Sequence, residues 1–276
     1  MTDAESTVRV VTGATAGIGH ALAQHLAAAG TIALVARDPA RGEATRSEIA
    51  GAAPAASVEV HVADLSSQAD VRRLADELST AHPRIGTLVH CAAVFSSQRI
   101  ETADGLELMF ATNHLGPFLL TNLLLPSLRA HGAARVLTLT APSTVKLDFD
   151  DLQGTSRFRA LTAFGATKAA NLLFAFELAR RLQGTRVTSN AVHPGLARTS
   201  LMRQSPALLR LPVMLFSGTP DRVAARIAPL VLDEQYAAET GQFFHNGKAM
   251  DPPPYTRDAV VQRRLWEVSE RLTGLA

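Results

Sequence analysis

A glycine-rich turn near the start of the chain is the first segment whose residue types and spacing point to chemistry. Residues 12–19 read Thr-Gly-Ala-Thr-Ala-Gly-Ile-Gly, between a β-branched run and a segment of helical period. Here Gly13 permits a tight turn, Gly17 lets backbone approach a pyrophosphate, and Gly19 allows close packing of helix on strand. The helix start adds free N–H groups and a positive dipole end. The turn predicts dinucleotide binding, with an ordinary glycine loop as the alternative.

The end of the second predicted strand bears on which dinucleotide is bound. Arg37 occupies or adjoins the position where NAD enzymes of this topology place an acid for the ribose 2′-hydroxyl. A guanidinium pairs bidentately with phosphate, which favours a 2′-phosphate and therefore NADP(H). Asp38 could instead accept from an unphosphorylated ribose, and Arg37 could be a solvated charge. On this local pattern we expect NADP(H).

The elements that must position these residues alternate along the chain. Short β-branched runs are followed by Ala- and Leu-rich segments of helical period, which predicts βαβ units with right-handed crossovers. Strands are predicted at 8–11, 32–36, 58–62, 87–91, 135–140, 186–192 and 242–244. Helices are predicted at 18–29, 40–50, 69–81, around 112–129, 167–183 and 221–232. We expect one doubly wound α/β Rossmann domain over residues 1–276, with a seven-stranded, mainly parallel sheet and helices on both faces.

The amino-acid composition indicates what kinds of molecule the chain is expected to bind. The chain has 276 residues, 47% of them hydrophobic, and a formal net charge of +2. Its arginines are scattered, so nucleic acid and anionic membranes are not expected partners. One cysteine, Cys91, allows no disulfide framework and fits a reducing cytoplasm. By this pattern no apolar run is long enough to cross a bilayer, so we expect a cytoplasmic protein that acts on small molecules.

With Thr12 before it, the Gly-x-x-x-Gly-x-Gly spacing resembles the fingerprint of the short-chain dehydrogenase/reductase family. Further matches are Asp64 after the third strand, Asn113 in a helix, Lys168 in the active-site motif, and a Pro-Gly turn at 194–195. Motifs at 113–118, 149–152 and 191–195 resemble the retinol-dehydrogenase-like branch. The resemblance implies a cofactor site at Thr12, Gly13, Thr15, Gly17, Ile18, Gly19, Arg37, Asp64, Leu65, Lys168, Pro194, Gly195 and Thr199. It implies catalytic positions at Asn113, Ala141, Ser143, Phe164 and Lys168.

Two of these positions depart from the family pattern. The family tyrosine lies four residues before its lysine, and this chain has Phe164 there. The family serine ends the fifth strand, and Ala141 takes its place, with Thr140 and Ser143 close by. In the family mechanism the tyrosine protonates the alkoxide and the serine binds the carbonyl oxygen. An ordinary alcohol dehydrogenase mechanism is therefore not expected.

Three functions remain open at this stage. The first is an atypical oxidoreductase whose proton comes from Lys168 through water, from His114 or His193, from Ser143 or Thr140, or from the substrate. The second is a non-redox isomerase, dehydratase or cyclase on the same scaffold. The third is a catalytically silent nucleotide-binding protein.

The remaining features concern metals, substrate and assembly. His114, His193 and His245 are dispersed without metal-ligand spacing, so no metal is assigned. The stretches 95–100, 142–164 and 196–216 should line the pocket and suggest a hydrophobic organic substrate, with a substrate loop at about 195–218. The apolar stretch 171–178 is predicted to be core on one side and subunit interface on the other, so a homo-oligomer is possible.

Overall fold

A computed structural model describes residues 7–195 and 218–276. Within these residues an eight-stranded sheet has the order β3-β2-β1-β4-β5-β6-β7-β8. The strands are β1 (Val8–Thr12), β2 (Ile32–Ala36), β3 (Val58–Val62), β4 (Ile85–His90), β5 (Arg135–Leu139), β6 (Thr188–His193), β7 (Phe243–His245) and β8 (Lys248–Ala249). Neighbouring strands from β3 to β7 pair in parallel. The predicted count of seven strands is wrong by one, because two-residue β8 folds back antiparallel to β7 and is too short to leave a pattern.

The strand order reverses at β1, which pairs with β2 on one side and with β4 on the other. In open α/β sheets, ligands bind outside the carboxyl ends of the strands at such a reversal. The glycine-rich turn directly follows β1, so the fold places the predicted dinucleotide site where the topology favours one.

Helices cover both faces of the sheet. They are α1 (Gly17–Ala27), α2 (Pro39–Ala52), α3 (Gln68–Ala81), α4 (Leu108–Phe110), α5 (Gly116–His131), α6 (Ala160–Arg181), α7 (Pro220–Leu232) and α8 (Ala259–Thr273). The core on one face joins β1 to α3, α5, α6 and α8, and the core on the other joins it to α1, α2 and α7. Val10 belongs to the first core and Val11 to the second, as expected for a strand buried on both sides.

Two helices differ from the sequence prediction. Helix α6 begins seven residues before the predicted start, and α8 was not predicted. Both ends of α8 carry recognisable signals: Asp258 accepts hydrogen bonds from the first backbone N–H groups, and Gly274 ends the helix at φ +63°. Since α8 packs on α6, it completes the core behind the active-site helix.

Two apolar segments predicted from the sequence also need correction. The continuous helical stretch Leu108–His131 is long and apolar enough to cross a membrane, contrary to the expectation, but 78% of its most apolar part is buried in the core. The 171–178 stretch is buried throughout. Its Phe176 lies under the Arg257 guanidinium, 4.5 Å from the ring centroid. This stretch is therefore covered by the chain itself and offers no free face for a second subunit.

Candidate functional site

The glycine-rich turn has the backbone that its sequence predicts. Gly13 and Gly17 have φ of +66° and +55°, a region that favours glycine. A Cβ on Gly13 would lie 2.7 Å from the Ala92 Cα, and one on Gly19 would lie 2.4 Å from the Gly13 carbonyl oxygen. Side chains are therefore excluded at Gly13 and Gly19 by backbone, which keeps the turn tight and the start of α1 close to the strand ends.

The N-terminus of α1 is suited to binding an anion. Its N-cap, Ala16, supplies no side-chain hydrogen bond, and its first turn has no acidic residue. By contrast, α2, α3, α7 and α8 are capped by Asp38, Ser67, Thr219 and Asp258. Helix α1 thus leaves its first N–H groups and its positive dipole end available, as a pyrophosphate requires. These features fit a dinucleotide.

Thr12, the last residue of β1, holds the start of the glycine-rich turn against the end of β4. Its fully buried hydroxyl accepts hydrogen bonds from the backbone N–H groups of Cys91 (3.1 Å) and Ala92 (3.3 Å) and donates to the Val89 carbonyl (3.4 Å). The side chain predicted to contact the cofactor is therefore engaged in joining the ends of β1 and β4. Thr12 therefore holds the ends of β1 and β4 together at the point where the strand order reverses.

Arg37, Asp38 and Arg41 follow β2 and have different contacts. Asp38 Oδ1 accepts from the Ala40 N–H (2.9 Å) and the Arg41 N–H (3.1 Å), so this carboxylate caps α2. Arg37 is exposed. The Arg41 guanidinium, which the sequence analysis missed, donates to the Thr15 carbonyl over 3.1 Å. Arg41 therefore lies against the glycine-rich turn. The signal was available, since Arg41 follows Arg37 by four residues and lies in the first turn of α2.

Asp64 and Leu65 follow β3 at the carboxyl end of the sheet. Asp64 Oδ1 accepts from the backbone N–H (2.9 Å) and hydroxyl (2.7 Å) of Ser66, which fixes the carboxylate in a tight turn after β3. The Leu65 carbonyl is packed so closely on Gly116 that a Cβ there would lie 2.4 Å away. The predicted adenine-contacting segment is thus rigidly held against the start of α5.

Lys168 and Phe164 lie one turn apart on α6 and face each other. The Lys168 Nζ lies 4.9 Å from the centroid of the Phe164 ring, a cation–π arrangement. Burial lowers the pKa of Lys168 to about 8. Phe95 packs edge-on against Phe164, with centroids 5.5 Å apart. The position at which the family resemblance implies a phenol is occupied by an apolar wall that contacts the lysine.

The end of β5 shows which hydroxyl group lies near this wall. Thr140 donates to the Lys168 carbonyl over 2.8 Å and is buried, so it anchors α6. The Ser143 Oγ accepts from the Val145 N–H and lies 3.4 Å from where a Cβ on Gly165 would be, beside Phe164. Ala141 has no polar side-chain atom. Of the predicted alternatives in this segment, Ser143 is the hydroxyl next to the active-site face of α6.

Asn113 lies in a π-helical turn, Ala111–Leu115, between α4 and α5. Its side chain exchanges hydrogen bonds with the backbone of Val94 (2.7 and 3.0 Å) and donates to the Thr167 hydroxyl (3.2 Å). It therefore ties the segment after β4 to α6 beside Lys168. Single π turns inside α-helices occur frequently at functional sites, and the sequence carries no signal for this one.

Neither histidine considered as a proton donor is well suited to the task. His114 is fully buried, its Nε2 pairs with the Ser269 hydroxyl at 2.9 Å, and burial lowers its pKa to about 4. His193 stacks on His245 with centroids 4.7 Å apart, and burial followed by the charge of His245 lowers its pKa. Both imidazoles are therefore neutral near pH 7.

The Pro-Gly turn and part of the predicted pocket lie within the described residues. Gly195 has φ +75° and follows Pro194 directly after β6, as a turn at the strand end requires. Thr199 and most of the predicted 195–218 loop lie outside the described residues. A cavity of about 270 Å³ is lined by parts of the 146–159 segment and by Ala163 and Ala166. Part of the predicted 142–164 stretch lines this cavity, whereas Phe164 and Lys168 do not.

Comparisons with known proteins define the class. Residues 7–208 match the family model described as short chain dehydrogenase. Human retinol dehydrogenase 13 is 38% identical over 96% of this chain and 84% of its own length, and mouse retinol dehydrogenase 12 is 38% identical over 97% and 86%. The chain therefore belongs to the short-chain dehydrogenase/reductase family of oxidoreductases. Within it, the chain is retinol-dehydrogenase-like.

Solved structures agree with the fold. A protein from Mycobacterium paratuberculosis, described as putative and uncharacterized, superposes with a TM-score of 0.79 at 30% identity, covering 98% of this chain and 94% of that one. A short-chain dehydrogenase from Burkholderia cenocepacia, solved in complex with NADP, superposes with a TM-score of 0.70 at 23% identity, covering 88% and 96%. The mainly parallel α/β fold with helices on both faces is confirmed.

Proposed function

We propose that this chain is an NADP(H)-dependent oxidoreductase of hydrophobic alcohols or carbonyl compounds that uses a proton donor other than tyrosine. The observation that carries the proposal is the contact between the Lys168 Nζ and the Phe164 ring. The lysine of the family's active site is retained and buried, but the group facing it has no hydroxyl.

The assignment of NADP(H) as cofactor rests on the positive charges near the glycine-rich turn and on how the N-termini of α1 and α2 are capped. The uncapped start of α1 would hold the pyrophosphate. Arg37 and Arg41, with Arg41 fixed on the Thr15 carbonyl, supply two cations for a 2′-phosphate. Asp38 is engaged in capping α2, which argues against its serving as the ribose acceptor of an NAD enzyme. When bound, NADPH supplies the hydride.

The substrate class follows from the walls of the site and from the relatives. Phe95 and Phe164 form an apolar edge-to-face pair beside Lys168. Hydrophobic walls with few polar groups select an apolar molecule that carries one reactive oxygen. The relatives include retinol dehydrogenases, which is consistent with a substrate of this kind.

We assign the proton to Lys168, with Ser143 as the neighbouring hydroxyl. An ammonium with a pKa of about 8 is mostly protonated at pH 7 and is close to the operating pH at which a general acid is most effective. The loss of a positioned tyrosine removes about two to four powers of ten in rate. The loss of the serine donor removes about two to three more. We therefore expect slow reduction of simple ketones by the unmodified protein.

The test restores the missing groups. The variant Phe164→Tyr with Ala141→Ser should oxidise NADPH with an activated ketone at least about tenfold faster than the unmodified protein. Stopped-flow absorbance measures this rate. Phe176→Tyr is the matched control, because it adds a phenol on the same helix, where the ring packs under the Arg257 guanidinium, and should leave the rate unchanged.

The same assay distinguishes the alternatives. A fast unmodified enzyme would show that Phe164 is no obstacle and would contradict the proposal. NADPH binding without turnover in either form would favour a silent nucleotide-binding protein, which the missing hydroxyls also support. Product without a change in NADPH absorbance would indicate a non-redox enzyme.

Cytoplasmic localisation and self-association remain proposals. Burial raises the pKa of the Cys91 thiol to about 12, so the chain's cysteine is a poor nucleophile and is compatible with a reducing compartment. An oligomer, if formed, must use a surface other than the buried 171–178 stretch. Size-exclusion chromatography with light scattering measures the assembly directly.

A further inference from the structure

Three metal-ligating side chains converge at the edge of the sheet, remote from the α1 turn. Glu59 and His61 lie two residues apart on β3, the edge strand, and His82 follows the last residue of α3. The Glu59 Oε2 lies 2.7 Å from the His82 Nε2 and 3.6 Å from the His61 Nε2. The three ligand atoms all lie within 4.8 Å of one another. Ligands of a tetrahedral zinc ion, bound at about 2.0–2.2 Å, are separated by roughly 3.4 Å.

The unsatisfied ring nitrogen of His61 distinguishes this cluster from a surface ion pair. Its Nε2 is buried and has no hydrogen-bond partner among the described residues. An unsatisfied buried nitrogen is costly whether it carries a proton or a lone pair, and a metal ion would satisfy it.

The other nitrogen of the ring also has a suitable neighbour. The His61 Nδ1 lies 3.7 Å from the Glu77 Oε2, and Arg73 holds that carboxylate through a 2.7 Å contact. A carboxylate behind the distal nitrogen of a metal-binding imidazole is the usual outer support of such ligands. Arg73 neutralises Glu77, which leaves Glu59 as the anionic ligand.

We propose that Glu59, His61 and His82 form a divalent transition-metal site, with Glu77 orienting His61. Two imidazoles and one carboxylate suit Zn²⁺, whereas Mg²⁺ and Ca²⁺ prefer sites built from oxygen ligands alone. The three ligands leave a fourth position open to water. The ion would join edge strand β3 to the end of α3, so its expected role is to stabilise this side of the sheet.

The experiment uses full-length protein freed of its affinity tag and of adventitious metal by chelation. Calorimetric titration should show one Zn²⁺ bound per chain and no comparable binding of Mg²⁺. Free Zn²⁺ at about one hundred times its Kd should raise the Tm by roughly 5–10 °C. Co²⁺ substitution should give the visible absorption of a four-coordinate site with nitrogen and oxygen ligands.

Variants then assign the ligands. His61→Asn and His82→Gln should each abolish stoichiometric binding, and Glu77→Gln should weaken it by about 10–100-fold. His25→Gln is the matched control, because His25 pairs with one carboxylate, Asp221, at 2.9 Å and should not affect binding.

Two results would overturn the site. The first is unmodified protein that binds no Zn²⁺ stoichiometrically, an outcome that does not depend on whether any variant folds. The second is binding that survives both histidine substitutions, with circular dichroism showing folded variants. Neither result bears on the proposed oxidoreductase activity, which uses other residues.

Discussion

Replacing Lys168 with methionine is expected to stabilise the nucleotide-free protein at neutral pH. The ammonium is buried, and its pKa falls from 10.5 to about 8. At about 1.36 kcal/mol per pKa unit, this corresponds to about 3 kcal/mol of lost stability. The contact with the Phe164 ring at 4.9 Å offsets about 0.5–2 kcal/mol of that cost. The expected net gain of about 1–3 kcal/mol would raise the Tm by roughly 2–10 °C.

The pH dependence separates the effect of charge from that of packing. The folded protein releases the Lys168 proton near pH 8, whereas the unfolded chain keeps it to about pH 10.5. Between these values the unfolded state binds more protons, so the unmodified protein gains stability as pH rises. The advantage of Lys168→Met should therefore be full at pH 7 and about 1 kcal/mol smaller at pH 9.

Urea denaturation at pH 7 and pH 9, followed by circular dichroism, measures both free energies of unfolding. Lys146→Met is the control, since Lys146 is an exposed lysine and its replacement should change little at either pH. A Lys168→Met advantage that is absent, or that is the same at both pH values, would refute the argument that burial destabilises the charged lysine.

Three further predictions test the supporting residues. Gly17→Val should weaken NADPH binding about a hundredfold, the equivalent of two charge-assisted hydrogen bonds, and unchanged affinity by calorimetry would remove the site assignment. Arg41→Ala or Arg37→Ala should reduce the preference for NADP(H) over NAD(H) about tenfold. Arg46→Ala on the same helix should leave that preference intact. Thr12→Val should cost about 1–3 kcal/mol of stability because buried N–H groups lose their acceptor, and an unchanged Tm would contradict this role.

The sequence predicted what depends on local chemistry. Residue type and spacing predict the glycine-rich turn, and its backbone has the positive φ angles that this prediction requires. The Lys168 assignment comes from the family resemblance. The ends of α8, a helix absent from the sequence prediction, also carry local signals, since Asp258 caps its start and Gly274 ends it. The first turn of α2 also carries a signal, because it places Arg41 four residues after Arg37.

Other features depend on tertiary packing and leave no such pattern. The hydroxyl of Thr12, for example, contacts the end of β4 and the two residues after it, about 80 positions away in the chain. The grouping of His61 with His82 likewise arises only when β3 and the end of α3 come together. The burial of the 171–178 stretch required α8, whose helix was not predicted.

Keeping Lys168 without the tyrosine is itself informative. In the described part of the chain, the Lys168 Nζ makes no hydrogen bond or salt bridge, and its neighbour is an aromatic ring. A buried ammonium with no anionic partner lowers stability, so folding alone would be better served by an apolar side chain at this position. Unsatisfied donors at a site of ligand-binding topology instead serve groups that arrive with the ligand. The energetic cost of burying the Lys168 ammonium thus supports a nucleotide or substrate that completes its hydrogen bonds, whichever reaction follows.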